Sequence, residues 1–370
     1  MGTPRPEIRK SMQASVMFGF NEKLELEDVT LDRPLAQEIR VEVAATGICH
    51  SDRHAYSGGV TGTHLPTILG HEAAGIVVEV GNAVRNVRQG DHVVISPAGS
   101  CGACSWCSKG HPQHCTDLVR SRPPGFTPRV RLREQKVGQF AGIGSFAEEI
   151  LVQESSVAKI SKKMPLDRAA LLGCAVTTGL GSIIHSAGVQ LGQTLAVIGC
   201  GGVGLSAIQG ARLAGANRII AIDTVSSKLE LARKFGATDV LDASVSDPVN
   251  GVLEITGGVD HALEFVGNPK TTKQAFQMLA TRGIATIVGL AGPDDVISLP
   301  AQEFLQEKII QGSRLGGTQL RTDIPMYANW YLEGRLDLDP LLGQTIDLAS
   351  VAQAFESGPV GESARTVVTF

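Results

Sequence analysis

The feature that most constrains the fold is a glycine-rich run placed between a strand pattern and a helix pattern. Residues 199–204 have the spacing G-x-G-x-x-G, follow an apolar strand pattern at 195–199 and open a helix pattern at 203–214. Glycines at these places allow a sharp turn and close packing of helix on strand. The sequence therefore predicts the first strand-turn-helix unit of a parallel sheet here.

The residues that follow repeat the alternation of strand and helix. Short β-branched runs alternate with segments of helical apolar spacing, which specifies a parallel sheet with helices on both faces. The fold class predicted for this region is therefore α/β, a doubly wound Rossmann sheet. Further strands are predicted at 218–223, 239–241, 262–266 and 284–290, and further helices at 226–235 and 271–280.

The glycine-rich run also predicts a ligand. Its glycines would let the backbone approach a pyrophosphate at the helix N-terminus, and Asp223, which ends the next strand, could accept hydrogen bonds from an adenosine ribose. A packing turn without a ligand is the alternative. Asp223 would repel a 2′-phosphate, and Lys228 lies too far along the next helix to cancel that charge, so NAD is favoured over NADP. The predicted cofactor-binding residues are Gly199, Gly201, Gly202, Gly204, Asp223 and Lys228.

Length and composition favour a globular chain with two domains. The chain has 370 residues, of which 43% are hydrophobic and 19% charged, and one hydrophobic core rarely spans that length. A net charge of −4 provides no basic surface for nucleic acid or anionic lipid. We find neither a secretory signal nor a membrane-spanning segment. We therefore expect a cytoplasmic protein without nucleic-acid or membrane partners.

The regions before and after the alternating segment have different predicted secondary structure. The first 150 residues look mostly β, and a helix is predicted at 165–187 between the two domains. After residue 312 separate pieces follow, which could rejoin the first domain. The basic, proline-containing stretch 116–138 is predicted to be a long surface loop. The pieces of the tail are helices near 324–333 and 351–356 and a final strand at 365–370.

Four of the seven cysteines lie within fifteen residues. The pattern C-x2-C-x2-C-x7-C, interleaved with glycines, is what four thiolates around a tetrahedral zinc ion need in a reducing compartment. An iron–sulfur cluster and redox disulfides are the alternatives. Zinc with four sulfur ligands has no open position, so this site would stabilise a loop rather than perform chemistry. The predicted structural zinc ligands are Cys101, Cys104, Cys107 and Cys115.

A second set of metal-binding residues is dispersed along the chain. Cys49, His71 and Cys174 have the two-to-one mixture of sulfur and nitrogen that suits an open catalytic zinc site with a bound water. Taken alone, Cys174 on an apolar helix reads as a buried small hydrophobe, and a single histidine as an ordinary polar residue. Composition and spacing alone do not assemble this triad.

With these pieces in this order, the chain resembles the zinc-dependent medium-chain alcohol dehydrogenases from residue 16 to residue 370. The sharpest local feature is Gly70-His71-Glu72-Ala73-Ala74-Gly75, which looks like the zinc signature of that family. The resemblance implies a GroES-like, mostly β catalytic domain at residues 1–177 and 315–370, and an NAD-binding Rossmann domain at residues 178–314.

The resemblance also implies individual roles. Cys49, His71 and Cys174 would hold a catalytic zinc, giving two zinc ions per chain, with Asp52 behind His71 and Glu72 behind the metal. The resemblance further implies a proton relay through Ser51 and His54, contacts of Thr178 and Val203 with the nicotinamide, and contacts of His50 and Arg365 with the pyrophosphate.

Elementary chemistry agrees with these roles. Zinc lowers the pKa of a bound water to about 7 and would do likewise to a bound alcohol. The released proton then needs a path out of a dry cleft. The hydroxyl of Ser51 could pass it through the cofactor ribose to His54, since an ordinary imidazole has a pKa of about 6.5. A solvated surface histidine is the alternative for His54.

The chain departs from the family at the substrate pocket. Pro97 lies where relatives commonly place an aromatic residue, so this wall is expected to be more open, with Phe140 and Leu290 as further walls. Arg314 is interpreted as a solvated or phosphate-facing residue rather than an anchor for a substrate carboxylate. The length of segment 116–138 favours a homodimer.

The predicted reaction is reversible oxidation of a primary alcohol, aromatic or of medium chain length, to its aldehyde with NAD. One alternative is oxidation of a thiol adduct of formaldehyde, which would require an anion-binding pocket near Arg53 or Arg120. A second is an enzyme that keeps its cofactor bound and uses an external acceptor. A non-catalytic cofactor-binding protein is a further alternative, against which the intact set of Cys49, His71 and Cys174 argues.

Overall fold

The computed structural model describes residues 10–60, 62–116, 129–357 and 365–370. By its internal contacts the chain divides into two compact units. Unit 1 comprises residues 1–174 and 319–370, and unit 2 comprises residues 175–318. Unit 1 is therefore built from both ends of the chain, with unit 2 as a single insertion.

The strands of unit 1 precede and follow unit 2 in the sequence. The first ten are β1 (Lys10–Met17), β2 (Glu25–Leu31), β3 (Glu38–Ile48), β4 (Thr67–Ile68), β5 (Glu72–Val80), β6 (His92–Ile95), β7 (Val130–Leu132), β8 (Gln135–Gln139), β9 (Glu149–Gln153) and β10 (Val157–Lys159). Strands β1, β2, β7, β8 and β4 form a closed barrel in that order. The hydrophobic core inside unit 1 includes the fully buried Val16, Val29, Ile68 and Phe146.

The first helices of unit 1 are short. They are α1 (His50–Tyr56), α2 (Ser105–Ser108) and α3 (Leu166–Leu171). Helix α1 starts directly where β3 ends, and α3 is half apolar, with Ala169, Ala170 and Leu171 buried. Helix α3 packs on β3, β5 and β6 of the larger sheet, whereas α2 lies in the loop that carries the cysteines.

Unit 2 contains a six-stranded parallel sheet. Its strands are β11 (Thr194–Ile198), β12 (Arg218–Asp223), β13 (Asp239–Asp242), β14 (Val259–Glu264), β15 (Leu279–Ile287) and β16 (Ile309–Gly312). The spatial order is β13-β12-β11-β14-β15-β16. This is the order of a doubly wound dinucleotide-binding sheet, in which ligands bind outside the carboxyl ends of the strands where the order reverses.

The helices of unit 2 are α4 (Ala175–Gly181), α5 (Gly202–Leu213), α6 (Ser226–Phe235), α7 (Pro248–Thr256) and α8 (Pro269–Gln277). Fully buried Ile198, Ile220, Val259 and Phe276 contribute to the core between sheet and helices. The tail then returns to unit 1 as α9 (Leu320–Leu332), β17 (Leu342–Ile346), α10 (Val351–Glu356) and β18 (Arg365–Thr369).

The last strand closes the larger sheet of unit 1. That sheet runs β10-β6-β5-β3-β18-β17, and β9 also pairs with β3. In the antiparallel pair of β18 with β3, Thr366 lies opposite Ile48 and Val367 opposite Gly47. The chain terminus therefore lies directly beside the segment that leads into α1.

The fold class predicted from the sequence is confirmed, but four local features differ from the predictions. The single helix expected at 165–187 is divided into α3, α4 and a π-helical segment, Ser182–Ala187. The break falls at Gly173, where a Cβ would lie 2.5 Å from the carbonyl oxygen of Ile95. The helix predicted near 324–333 begins four positions earlier as α9, which contains Pro325 in its interior.

The other corrections concern a hairpin and a helix. Part of the surface loop expected at 116–138 is the hairpin of β7 and β8, because Val130 and Val137 are buried inside the barrel; residues 117–128 lie outside the described part. Helix α7 was absent from the expectations. Its signals were local, since Asp247 caps the helix by accepting hydrogen bonds from two backbone N–H groups and Pro248 occupies its first turn.

No helix in the described part of the chain is long and apolar enough to cross a bilayer.

Candidate metal centres and cofactor site

Cys49 lies at the junction of β3 and α1. It is the N-cap of α1, and its backbone N–H donates to Asp52 Oδ2 over 2.9 Å. This reciprocal contact fixes the turn out of the sheet, so the thiol is buried beside the start of the helix.

His71 is held from two sides. Gly70 before it has φ of +89°, a conformation that favours glycine, and a Cβ there would lie 2.5 Å from Ser145 Oγ. Asp52 Oδ1 accepts a hydrogen bond from the Gly70 N–H at 3.0 Å and lies 2.9 Å from His71 Nδ1. With Nδ1 engaged by the carboxylate, Nε2 is the nitrogen left to bind a metal.

The structure brings together the three dispersed residues predicted from the resemblance. The ligand atoms of Cys49, His71 and Cys174 all lie within 4.8 Å of one another. Ser51 Oγ lies 3.3 Å from Cys49 Sγ and 3.2 Å from His71 Nε2. Cys49 and His71 are buried and Cys174 is half-buried. Two sulfurs and one imidazole nitrogen with a hydroxyl beside them are a donor set that fits zinc with an open position. These three residues are called the three-ligand group below.

A buried ion pair lies behind this group. Glu72 is fully buried, and its Oε1 lies 2.8 Å from Arg365 Nε, while Arg365 Nη2 donates to Cys49 Sγ at 3.4 Å. Gly47 on the neighbouring strand makes room, since a Cβ there would lie 2.1 Å from Glu72 Oε1. Burial raises the pKa of Glu72 to about 7, against the effect of the arginine.

The surroundings shift the pKa values of the ligands in this group. A hydrogen bond with the Cys174 thiol and the positive charge of Arg365 hold the pKa of Cys49 well below its ordinary value. Burial opposes a positive charge on His71, but the Asp52 carboxylate outweighs it and raises the pKa of the imidazole well above its ordinary value. The surroundings therefore favour the thiolate of Cys49, which is the form that binds metals. The hydrogen bond with Cys49 and burial raise the pKa of the Cys174 thiol instead.

Other residues predicted for unit 1 take different places. The ring of Phe140 lies edge-on to His71 with 5.6 Å between centroids, so it borders the three-ligand group. His54 lies one turn beyond Ser51 on α1, and its imidazole packs on Gly59, where a Cβ would lie 2.5 Å from Cε1. His50 is the exposed first residue of α1, and Pro97 follows β6 and is half-buried.

The four-cysteine group lies in a loop around α2. The Sγ atom of Cys104 lies 3.5 Å from that of Cys107 and 3.9 Å from that of Cys115, and the Sγ atoms of Cys101 and Cys107 are 4.0 Å apart. A tetrahedron of zinc–sulfur bonds about 2.3 Å long has edges of about 3.8 Å. Backbone N–H groups, that of Cys107 first, lower the pKa of Cys104 to about 6. The spacing and the thiolate environment fit zinc.

Unit 2 holds the glycine-rich run at the carboxyl end of β11. Gly199 has φ of +93°, and a Cβ on Gly204 would lie 1.9 Å from the Gly199 carbonyl oxygen, so only glycine allows α5 to start this close to the strand. Asp223 Oδ2 accepts a hydrogen bond from the Cys200 N–H at 2.7 Å. The loop and the acid predicted to bind the ribose are therefore in direct contact.

The remaining predicted residues of unit 2 lie on separate elements. Thr178 is buried on α4, Val203 and Lys228 are half-buried on α5 and α6, Leu290 is 55% exposed after β15, and Arg314 is exposed after β16.

The sequence interpretation missed several contacts of the three-ligand group. Thr46, Gly47 and Ser145 touch the segment that carries His71 and Glu72, and Arg365 was assigned to the pyrophosphate alone. These residues meet across β-sheet pairings of large sequence separation, and one sequence gives no local signal for such contacts.

Comparison with known proteins identifies the family. Residues 35–162 match the alcohol dehydrogenase GroES-like domain, and residues 202–331 match the zinc-binding dehydrogenase domain. The chain belongs to the zinc-dependent medium-chain alcohol dehydrogenase family, whose members are oxidoreductases acting on CH–OH groups.

Individual relatives differ in their described substrates. The S-(hydroxymethyl)glutathione dehydrogenase of Photobacterium damsela subsp. piscicida is 37% identical over 97% of this chain and 99% of its own length. The structure of benzyl alcohol dehydrogenase from Acinetobacter calcoaceticus is 31% identical, with a TM-score of 0.92 over 98% of this chain and 99% of that one. A zinc-binding dehydrogenase structure from Sinorhizobium meliloti 1021 bound to NADP is 26% identical, with a TM-score of 0.81 over 98% and 100%.

Proposed function

We propose that this protein is an NAD-dependent zinc alcohol dehydrogenase that reversibly oxidises a primary alcohol, aromatic or of medium chain length, to its aldehyde. The observation that carries the proposal is the three-ligand group with the hydroxyl of Ser51 against it. Cys49, His71 and Cys174 would hold a catalytic zinc, and Cys101, Cys104, Cys107 and Cys115 a structural one. Bound zinc would act as a Lewis acid on the alcohol oxygen, and NAD would accept the hydride.

The chain's own residues would orient the group and move the proton. Asp52 keeps His71 in one tautomer and orientation. Ser51, whose Oγ already contacts two ligand atoms, would take up the proton of the alcohol and pass it through the cofactor ribose toward His54. Glu72 and Arg365 place a compensated charge pair behind Cys49, and Arg365 is also proposed to face the cofactor pyrophosphate, together with His50.

The choice of NAD rests on Asp223. Its carboxylate is fixed by N–H groups of Cys200, Thr224 and Val225, so it cannot turn away from an incoming 2′-phosphate without losing them. Asp223→Gly should lower the preference for NAD over NADP at least tenfold, which corresponds to about 1.4 kcal/mol. Steady-state kinetics with both cofactors measure this ratio, and an unchanged ratio would refute the role of Asp223.

Thr178 and Val203 are proposed to flank the nicotinamide, and Pro97, Phe140 and Leu290 to line the substrate pocket. Phe140 has direct support, because its ring lies edge-on to His71. A half-buried proline in place of an aromatic residue would leave space for a bulkier alcohol.

A second candidate is oxidation of S-(hydroxymethyl)glutathione, as the curated relative is named. That substrate carries carboxylates and requires cationic partners near the site. Arg53 is engaged elsewhere: its guanidinium donates to the carbonyl oxygens of Ala354 and Phe355 and lies over the Phe355 ring. This favours the simple alcohol. Arg120, the other cation considered, lies outside the described residues.

One assay separates the candidates. NADH absorbance is followed with benzyl alcohol, straight-chain alcohols, and formaldehyde with and without glutathione. We expect turnover of simple alcohols without thiol. Activity only with formaldehyde plus glutathione would replace the proposal by the second candidate. A nucleotide absorbance that survives gel filtration would instead favour a permanently bound cofactor with an external acceptor.

We also propose a cytoplasmic homodimer, with the second copy bound at the edge of the sheet of unit 2. In the described part of the chain, β16 pairs on one side only, with β15. Ile309 on this strand is 49% exposed, and Phe304 and Leu305, in the 3-10 helical segment that precedes it, are 45% and 84% exposed. An open strand edge beside apolar side chains favours pairing with a copy of itself.

The dimer is tested by light scattering. Leu305→Asp should halve the molar mass, whereas Leu191→Asp, which changes an equally exposed leucine of unit 2, should not. A monomeric wild type, or a dimer in Leu305→Asp, would contradict this assignment.

A further inference from the structure

Two buried hydroxyl groups close a ring of hydrogen bonds around the segment that carries His71. Thr46 on β3 and Ser145 before β9 are both fully buried, and their Oγ atoms are 2.6 Å apart. Thr46 Oγ1 donates to the carbonyl oxygen of Glu72 at 3.0 Å, and the Ser145 N–H donates to the carbonyl oxygen of Gly70 at 3.0 Å.

The proton count gives this ring a direction. Each hydroxyl has one proton, and that of Thr46 goes to the Glu72 carbonyl. Ser145 must therefore donate its own proton to Thr46 Oγ1. The hydrogen bonds therefore run from the Ser145 hydroxyl to the Thr46 hydroxyl and from there to the Glu72 carbonyl oxygen. The backbone N–H of Ser145 donates to the Gly70 carbonyl oxygen. His71 lies between Gly70 and Glu72, the two residues whose carbonyl oxygens accept these hydrogen bonds.

The ring of hydrogen bonds restrains the backbone around His71, in addition to the contacts that Asp52 makes. Asp52 restrains the imidazole and the Gly70 N–H, but nothing in that contact limits movement of the next peptide group. Thr46 supplies this restraint at Glu72. A Cβ at position 70 would collide with Ser145 Oγ. These hydrogen bonds can therefore form around the segment only when residue 70 is glycine.

We infer that Thr46 and Ser145 are positioning residues for the three-ligand group: through their linked hydroxyls they fix the backbone on both sides of His71 and slow the loss of the metal. This inference rests on the proposed function, since it assumes zinc at Cys49, His71 and Cys174. Residues that orient a metal ligand from behind typically change metal affinity about 10- to 100-fold when replaced.

The test compares substitutions that keep shape with one that keeps the hydroxyl. Thr46→Val removes the hydroxyl at nearly constant volume, and Thr46→Ser retains it. Thr272→Val is the matched control, because the buried Thr272 hydroxyl also donates to a carbonyl oxygen, that of Asn268, at 3.0 Å in unit 2. Zinc release from each purified protein into a chromogenic chelator is followed with time, and the phase that is absent in Cys174→Ala is assigned to the three-ligand group.

We expect release in that phase to be about tenfold faster or more in Thr46→Val, within about twofold of the wild type in Thr46→Ser and Thr272→Val, and unchanged in the four-cysteine phase. Cobalt substituted at the three-ligand group should show a shifted visible spectrum in Thr46→Val only. A wild-type release rate and spectrum in Thr46→Val, or equal acceleration in Thr46→Ser, would overturn the inference.

Ser145→Ala keeps the test decisive if Thr46→Val does not fold. It removes the bond between the two Oγ atoms while leaving Thr46 able to reach Glu72, so we expect a smaller acceleration of the same phase. A wild-type rate in a folded Ser145→Ala protein would then overturn the inference. A wild type that releases zinc in the four-cysteine phase alone would instead refute the proposed function.

Discussion

The two cysteine-containing groups of unit 1 are built in opposite ways. All four members of the four-cysteine group lie between residues 101 and 115, and backbone N–H groups of that same loop donate to the sulfur atoms of Cys101 and Cys115. The three-ligand group takes its members from the end of β3, the residue before β5 and the turn after α3. One group is a product of local sequence, and the other exists only after the sheets have formed.

This difference suits the four-cysteine group to stabilising the fold and the three-ligand group to chemistry. A closed set of four thiolates satisfies the metal and leaves no position for a substrate, so its free energy of binding acts on folding. A set of three ligands held by distant parts of the fold leaves one position open, and its surroundings can be tuned by residues such as Asp52 and Arg365.

The largest expected effect is the loss of one member of the three-ligand group. Cys174→Ala should lower kcat/KM for alcohol oxidation by more than about 1000-fold, corresponding to over about 4 kcal/mol of transition-state stabilisation, because Lewis-acid catalysis is lost. Zinc content should fall from two ions to one per chain, with the circular dichroism spectrum unchanged. Elemental analysis and kinetics check both numbers. Full zinc content in the variant would remove the contrast between the two groups.

The next effect concerns the proton path. Ser51→Ala should lower kcat/KM about 100-fold or more, because no other hydroxyl contacts both Cys49 and His71 among the described residues. His54→Gln should be milder, about tenfold. The loss of kcat/KM in His54→Gln should diminish at high pH, where hydroxide substitutes for the imidazole as the proton acceptor.

A pH profile of kcat/KM for both variants, with small amine bases added for rescue, checks this order. If His54→Gln follows the wild-type profile at every pH while Ser51→Ala is inactive, the path ends at the ribose or a water molecule. His54 is then a surface histidine packed on Gly59.

A smaller effect, on stability rather than turnover, is expected from the other group. Cys104→Ala should lower the free energy of unfolding by about 2 kcal/mol, since metal binding contributes to folding. For a unit of this size the melting temperature would fall by roughly 4–8 °C. Calorimetry measures the shift, and kcat per folded molecule serves as the control. A large loss of kcat at wild-type stability would reverse the roles assigned to the two groups.

The smallest effect comes from an ion pair remote from both groups, which provides a baseline. Burial would raise the pKa of Asp91, but hydrogen bonds from Lys159 Nζ and the Arg88 N–H outweigh it and hold the pKa below its ordinary value. Because the folded-state pKa is lowered, the stabilisation is present at neutral pH and is lost as pH falls through the folded-state pKa. Asp91→Asn should therefore cost about 0.5–1 kcal/mol at pH 7 and progressively less below about pH 4.

Urea denaturation across pH measures that difference. A constant cost at all pH values would mean that shape rather than charge matters at Asp91. Zinc content should remain at two ions per chain in this variant.

The sequence predicts what is encoded locally. The spacing of Cys101 to Cys115 and of Gly199 to Gly204 identifies groups whose members the structure places together, because a few bonds of chain already bring those atoms close. The strand 218–223 and the helix 226–235 were located to the residue for the same reason. Even α7 carried a readable cap in Asp247 and Pro248.

The contacts that the sequence does not predict are long-range ones that depend on sheet register. Thr46 meets Ser145 across 99 positions, and Arg365 reaches Cys49 across 316. Each contact follows from which strand lies beside β3 and in which alignment, and a shift of one residue would turn every side chain to the other face. The break at Gly173 also depends on a distant partner, the carbonyl oxygen of Ile95.

Because β18 pairs with β3, the surroundings of the three-ligand group are completed only after the last strand has been synthesised. Cys49 and His71 leave the ribosome early, and the whole of unit 2 is translated before Arg365 appears. Domains generally begin to fold as they emerge, so unit 2 can form while unit 1 still lacks its last strand. A nascent chain stopped before residue 365 has every thiol needed to capture zinc, but neither the cation that pairs with Glu72 nor the strand opposite Gly47. Truncation before residue 365 therefore separates the presence of the three ligands from the completion of their surroundings.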